Sequence, residues 1–268
     1  MSIEIRLEDP DDQHAVEELT REAFWKFWEP NQTICNEHFL VRKLRSVSSL
    51  VPELNFVASL DGRIVGHIIY TKSKIVDDSG KEFVTLTFGP LSVLPEYQNM
   101  GIGQMLMRYS FKEAQQLGYR AVLIFGHPDY YPRAGFLRAA EFGIFTSDGS
   151  SFDAFMAYPL YEGALVGVRG RYHIDPVYEQ MTEEDTLTFD KEFPFKEPFV
   201  PTPVDVLLEQ LEPGPRKALA DTGCPSLQWM TSKSEREVAA LPGMDEKAME
   251  TIRSVLHRHG IRWGSGKL

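Results

Sequence analysis

The stretch Leu91-Ser92-Val93-Leu94-Pro95-Glu96-Tyr97-Gln98-Asn99-Met100-Gly101-Ile102-Gly103 decides the fold. It reads as the end of a strand, a turn rich in backbone N–H groups, and a helix that begins at the glycines. Before it, residues 83–88 have the apolar and β-branched density of a buried strand. After it, Ile102, Met105, Leu106, Tyr109 and Leu117 recur at helical spacing, and Gly118 stands where a helix end favours glycine. Such a helix start is an anion site, because unpaired N–H groups and the positive end of the dipole point the same way. Gly101 and Gly103 would let a phosphate approach where a Cβ would obstruct it. A tight strand-to-helix turn without a ligand fits the same two glycines. Nucleotide readings fit poorly: Leu106 stands where a third glycine is needed, and no Gly-Lys-Ser/Thr follows.

The whole stretch resembles the acetyl-CoA signature of the GNAT acetyltransferases, in which a strand ending in V-x-P precedes Q/R-x-x-G-x-G/A. Here Val93, Pro95 and the run Gln98-Asn99-Met100-Gly101-Ile102-Gly103 match without a gap. The resemblance implies a GNAT fold: α/β, with a central mixed twisted sheet flanked by helices. It also implies that backbone amides of the turn, from Gln98 to Gln104, hold the pyrophosphate of acetyl-CoA. The strand backbone at Leu91, Ser92 and Val93 would run beside the pantetheine arm and supply an oxyanion donor.

A second block adds to the match. Residues 121–125 are a short apolar run, followed by a turn and by Tyr131-Pro132-Arg133-Ala134-Gly135-Phe136. GNAT proteins commonly carry a tyrosine four residues before Gly-Phe as general acid to the departing thiolate, which implies that role for Tyr131, with Tyr130 as competitor. The segment is similar to the YhbS-like branch, as are Phe155-Met156-Ala157 and Gly163-Ala164-Leu165. The implied activity is acetyl transfer to an amine-bearing acceptor, a small molecule before a protein, without a metal. The family's usual glutamate on the central strand is missing, since Leu86, Phe88 and Leu91 occupy that region. Glu37, His127 and Asp129 are the alternatives for a base. The gap leaves a rival open, a non-catalytic acyl-CoA-binding or scaffold protein. Family members are often homodimers.

Composition bounds these readings. Of 268 residues, 43% are hydrophobic and 25% charged, as in ordinary globular chains. No apolar run approaches a membrane span and no signal-peptide core opens the chain. Cys35 and Cys224 lack metal-ligand spacing, so the expectation is a reduced, cytoplasmic protein. Residues 1–201 carry 19 Lys+Arg against 30 Asp+Glu, a net of −11, whereas residues 202–268 carry nine of each. The acidity argues against nucleic acid and favours a cationic partner.

Around the central stretch, Ser2-Ile3-Glu4-Ile5-Arg6 alternates as a first strand, and Asp11 or Asp12 is the expected cap of a helix running to about Trp25. Pro30-Asn31 should break the chain, and a second helix should cover 36–44. Phe24, Trp25, Phe27, Trp28 and Phe39 fit either core or an acceptor-pocket wall. Asp61-Gly62 is a favoured hairpin turn between strands at 55–60 and 63–70. A second turn at 77–80 leads into the strand at 83–93. This gives the order β-α-α-β-β-β-α-β, with two further strands near 142–145 and 155–160. His67, on an apolar strand, reads as structural.

The expected organisation is a GNAT domain at 1–165, an extension and linker at 166–203, and a small all-α unit at 204–268. The Pro- and Phe-rich run 189–203 supports neither helix nor central strand and could drape over the first domain through its phenylalanines. In the last unit, Ser234 and Glu237 fit a capping box and Leu241-Pro242-Gly243-Met244-Asp245 a turn. The unit resembles the helix-hairpin-helix module of the RNA polymerase alpha C-terminal domain. Asp245, however, replaces a phosphate-binding glycine, which favours a structural or protein-contact role over DNA.

Overall fold

The computed structural model describes residues 3–25, 34–197 and 200–261. The expected positions Phe27, Trp28, Pro30 and Asn31 lie outside them. The chain begins with β1 (Ile3–Leu7) and a 3-10 turn, Pro10–Asp12, that leads into α1 (Gln13–Phe24). Asp12 stands at the N-cap of α1, as expected, but makes no side-chain capping bond there; the side-chain cap belongs to the 3-10 turn and is Asp9. Its carboxylate accepts from the Asp11 N–H at 3.1 Å while Asp12 accepts from the Asp9 N–H at 2.8 Å. This closes a reciprocal box one turn earlier than the sequence suggests.

There follow α2 (Glu37–Leu44), β2 (Phe56–Leu60), β3 (Arg63–Val76), β4 (Glu82–Val93), α3 (Ile102–Gln116) and β5 (Ala121–Phe125). β2 and β3 turn at Asp61 and Gly62, both with positive φ (50° and 83°), the conformation a two-residue hairpin requires. The second turn is held by Asp77, whose carboxylate accepts from the N–H groups of Ser79 and Lys81. Short strands β6 (Leu137–Arg138) and β7 (Ile144–Phe145) precede β8 (Phe155–Pro159). The main sheet runs β1-β2-β3-β4-β5-β8-β6. All neighbours in it are antiparallel except β4 and β5.

Past residue 165 the chain enters the expected extension. β9 (Gly170–His173) pairs with the far end of β3 and with β7, extending the sheet. After it, α4 (Glu183–Asp190) is capped by Thr182 and lies against α2. Phe189 and Phe193 do cover the first domain: both are buried, packed on His38, with Phe189 also on Phe39. Phe195 instead points to solvent. Arg21, itself 3% exposed, makes a two-pronged ion pair with Asp190 at 2.6 and 2.9 Å, locking this return segment onto α1.

Helix α3 lies on one face of the sheet and α1 with α2 on the other. The α3 stripe is Ile102, Leu106, Met107, Ser110, Phe111 and Ala114, whereas the expected members Met105, Tyr109 and Leu117 are exposed. Ser110 disguises the phase, since its hydroxyl meets Tyr70 Oη at 2.7 Å inside the core. On the opposite face Ser92 meets Thr20 of α1 at 3.0 Å. His67 is fully buried with Nε2 2.8 Å from Asn55 Oδ1, a structural histidine.

The C-terminal helices are α5 (Asp205–Leu208), α6 (Pro213–Asp221), α7 (Glu235–Ala239) and α8 (Glu246–Arg258), gathered on a core of their own around Leu207, Leu219, Leu227 and Ile252. Ser234 and Glu237 form the expected capping box of α7. Asp245 caps α8 by accepting from the Ala248 N–H at 2.8 Å, which gives this carboxylate a helix-starting task.

Candidate active site

The site begins with a mismatch in the sheet. Tyr70 pairs with Phe88 and Ile68 with Leu91, so β4 carries one residue more than β3 between these rungs, at Gly89-Pro90. A bulge re-aims the strand. On its other side β4 is paired to β5 only at Leu86 and Val122, and beyond that rung the two parallel strands are not paired. The direction of the free backbone groups follows from the alternation of an antiparallel ladder. Leu94 donates to Val65 at 3.0 Å, and Ser92 with His67 is the next bonded pair on the same register. Val93 lies between these rungs and Leu91 next after Ser92, both at non-bonded positions of the β3–β4 ladder, so their N–H and C=O groups face the β4–β5 gap. The Val93 carbonyl takes a bond from Gln98 Nε2 at 3.0 Å.

Beyond β4 the chain turns through Asn99 (φ 64°) and Gly101 (φ 83°) into α3. A Cβ at Gly101 would meet nothing within 4 Å, so only its backbone conformation calls for glycine. A Cβ at Gly103 would come within 3.1 Å of Tyr130 Oη and 3.6 Å of the Leu91 side chain, so this glycine also allows close packing at the first turn of α3. Of the other turn residues, Met100 is exposed, Ile102 is buried at the start of α3, and Gln104 is half-buried. Gln104 also borders a shallow cavity of about 270 Å³ that Arg108, Lys112 and Arg133 line with positive charge. The spacing of Arg108 and Lys112, four apart on one helix, is the signal that could have shown this groove.

A larger cavity, about 390 Å³, opens at the gap itself. Leu91 and the bulge form its edge, Tyr131 lines it, and the start of α2 contributes Glu37 and Leu40 together with Asn36 just before the helix. Ile124 and Phe125 of β5 line it too, and a further wall is Ile174, Tyr178, Glu179 and Met181, which follow β9 and which the sequence does not single out. Phe24 also lines it, whereas Trp25 is buried with its indole N–H on the Glu197 carbonyl at 3.1 Å, and Phe39 packs on Phe189. The two competing tyrosines separate here. Tyr131 lines the cavity, its ring 4% exposed and edge-on to Phe136, while Tyr130 covers the first turn of α3. Burial, with Tyr130 nearby, holds the Tyr131 phenol well above the ordinary tyrosine range, so it stays protonated.

The three candidate bases also separate. Glu37 is on the cavity wall and 8% exposed. His127 is buried and its Nδ1 accepts from the Asp129 N–H at 3.2 Å. Asp129 in turn accepts from the N–H of Glu235 at 3.1 Å, tying the tyrosine loop to the start of α7.

The sequence profile of the acetyltransferase (GNAT) family matches residues 15–142. The uncharacterized N-acetyltransferase YhbS of Escherichia coli (strain K12) is 30% identical over 172 residues, which are 63% of this chain and 95% of that protein. The chain belongs to the GNAT acetyltransferase family. The uncharacterized N-acetyltransferase YjhQ of the same organism is 36% identical over 97 residues, but that match spans 53% of its length. Among solved structures, E. coli YhbS in complex with CoA is similar with a TM-score of 0.58 and 26% identity, over 67% of this chain and 93% of that one. A GNAT acetyltransferase from Brucella melitensis in complex with acetyl-CoA has a TM-score of 0.53 and 27% identity, over 66% and 98% respectively. The expected GNAT fold is therefore observed. No described helix is long and apolar enough to cross a membrane.

Proposed function

We propose that this GNAT protein transfers the acetyl group of acetyl-CoA directly to a primary amine on a small molecule. The observation that carries the reading is the position of Leu91. It lines the Tyr131 cavity and also packs on Gly103, so the acceptor side and the first turn of α3 adjoin across one residue. The CoA and acetyl-CoA complexes of the relatives support the choice of donor.

In this mechanism the pyrophosphate rests on the N–H groups of Ile102, Gly103 and Gln104, with Arg108, Lys112 and Arg133 near enough to favour a polyanionic ligand. The Leu91 N–H stabilises the oxyanion as the amine attacks the thioester carbon, an arrangement that needs no reorganisation during reaction. Glu37 takes the proton that frees the amine. As the C–N bond forms and the C–S bond breaks, Tyr131 protonates the thiolate and is restored by the second amine proton. The Asp129–Glu235 contact supports a structural role for the C-terminal helices, with nucleic acid no part of the reading.

Calorimetric titration with acetyl-CoA, for the wild-type protein and Gly101→Glu, tests the coenzyme half. Saturable binding that the variant abolishes is expected. Equal binding by both proteins would remove the coenzyme from this turn.

A further inference from the structure

We infer that Asp129 is a positioning residue for Tyr131, and that its anchor is the N–H of Glu235 in the C-terminal helices. The inference rests on the acetyl-transfer reading above and deepens it, giving the C-terminal unit a task in the reaction. The tyrosine loop, residues 126–131, is a tight turn. Gly126 donates to the Ala154 carbonyl at 2.9 Å, and the N–H groups of Tyr130 and Tyr131 both reach the His127 carbonyl, at 3.1 and 3.3 Å. Asp129 sits at the tip and is held on two sides. Its N–H donates to His127 Nδ1 at 3.2 Å, inside the loop, while its Oδ2 accepts from the Glu235 N–H at 3.1 Å, 106 positions along the chain.

The donor is itself fixed. First-turn N–H groups have no partner within their own helix. At the start of α7, Ser234 and Glu237 satisfy each other: Ser234 Oγ accepts from the Glu237 N–H at 3.0 Å, and Glu237 Oε2 from the Ser234 N–H at 2.7 Å. The Glu235 N–H lies between them and goes to Asp129. The Glu235 carboxylate pairs with Arg253 of α8, so two helices hold this donor in place. At the other end of the loop there is little slack. The Tyr131 ring lies against Gly126 and the Tyr130 hydroxyl against Gly103, so a turn released at Asp129 shifts both rings. Of the two, Tyr131 lines the cavity. Misplacing a reacting group by about 1 Å lowers the rate of the chemical step while leaving the distant coenzyme contacts intact.

Four variants test this, with butylamine as the acceptor, thiol release as the rate and calorimetry for acetyl-CoA. Asp129→Ala should lower kcat about tenfold or more and leave acetyl-CoA affinity within about twofold. Asp129→Asn, whose amide oxygen still accepts a hydrogen bond, should keep most of the rate. Glu235→Pro removes the donor at a first helical position, where proline is tolerated, and should slow transfer more than Glu235→Ala, which keeps the N–H. In a Tyr131→Phe background Asp129→Ala should add less than about twofold, because residues that act through one another are not additive. Equal kcat for Asp129→Ala and wild type, or full additivity with Tyr131→Phe, would overturn the inference and leave acetyl transfer standing. A loss in Asp129→Asn as deep as in Asp129→Ala would make Asp129 a proton carrier and overturn it too. Hydrogen exchange at the amides of residues 126–131 gives a readout without turnover. Faster exchange in Asp129→Ala and Glu235→Pro, with no butylamine acetylated by the wild-type protein, would uphold the anchor and overturn the transfer reading. Exchange unchanged in both variants would overturn the inference.

Discussion

Gly126 lies against the ring of Tyr131 so closely that a Cβ at position 126 would overlap Cδ2 and Cε2 of the tyrosine. The glycine ends the β5 ladder and the tyrosine starts the next 3-10 turn, so the short loop between them sets where the phenol stands. Gly126 is thus a positioning residue for Tyr131.

Gly126→Ala is expected to displace the ring. Overpacking of this kind costs about 1–3 kcal/mol of stability. The kinetic effect should exceed the loss of folded protein, with kcat lowered tenfold or more and acetyl-CoA binding nearly unchanged. A variant that melts lower but turns over normally would show that the loop tolerates a shifted ring.

Stability should fall with acid in a defined window. Burial pushes His38 down to about 4, with Arg21 adding to the shift and Asp190 opposing it. Burial and Arg45 lower His67 as well. In the unfolded chain both titrate near 6.5. As pH falls below that value the unfolded state takes up protons that the folded state refuses. The stabilisation is therefore complete above pH 6.5 and is lost toward pH 4, at up to about 1.4 kcal/mol per pH unit for each histidine. Urea midpoints recorded from pH 7 to pH 4 should show this decline, and His38→Gln should make it shallower. A flat profile would contradict the assignment.

The ion pairs should divide sharply by burial. Asp190→Asn leaves Arg21 buried without its carboxylate and should cost about 3–5 kcal/mol, read as a lower thermal midpoint. His38 Nε2, 3.1 Å from the same carboxylate but off the hydrogen-bonding direction, would lose its charged neighbour too. By contrast Glu82→Gln removes an exposed pair with Lys74 and should cost less than about 1 kcal/mol.

Much of this was legible in the chain. The glycine turn after β4 and the tyrosine before Gly135-Phe136 are local signals, and both stand where the sequence suggests. What was hidden depends on tertiary contact. β9 has four residues and exists because the tail of β3 runs on past Ile68, where its pairing with β2 ends, and offers a free edge; nothing in Gly-Arg-Tyr-His alternates strongly enough to announce it. The cavity wall that follows it, with Glu179, was hidden for the same reason. The phase of α3 was misread because its buried stripe includes Ser110, made apolar in effect by Tyr70, while Met105 and Tyr109 face outward. Gly103 reads as a ligand contact in the sequence, and that its missing side chain also makes room for Tyr130 and Leu91 depends on tertiary contact.

The central claim is that Tyr131, not Tyr130, delivers the proton to the departing thiolate. The direct test compares single-turnover acetyl transfer by the wild-type protein, Tyr131→Phe and Tyr130→Phe, each saturated with acetyl-CoA. General acid catalysis contributes about 10²–10⁴-fold, so Tyr131→Phe should slow transfer by at least about a hundredfold with the coenzyme still bound, while Tyr130→Phe keeps most of the rate. Equal rates for Tyr131→Phe and wild type would contradict the account.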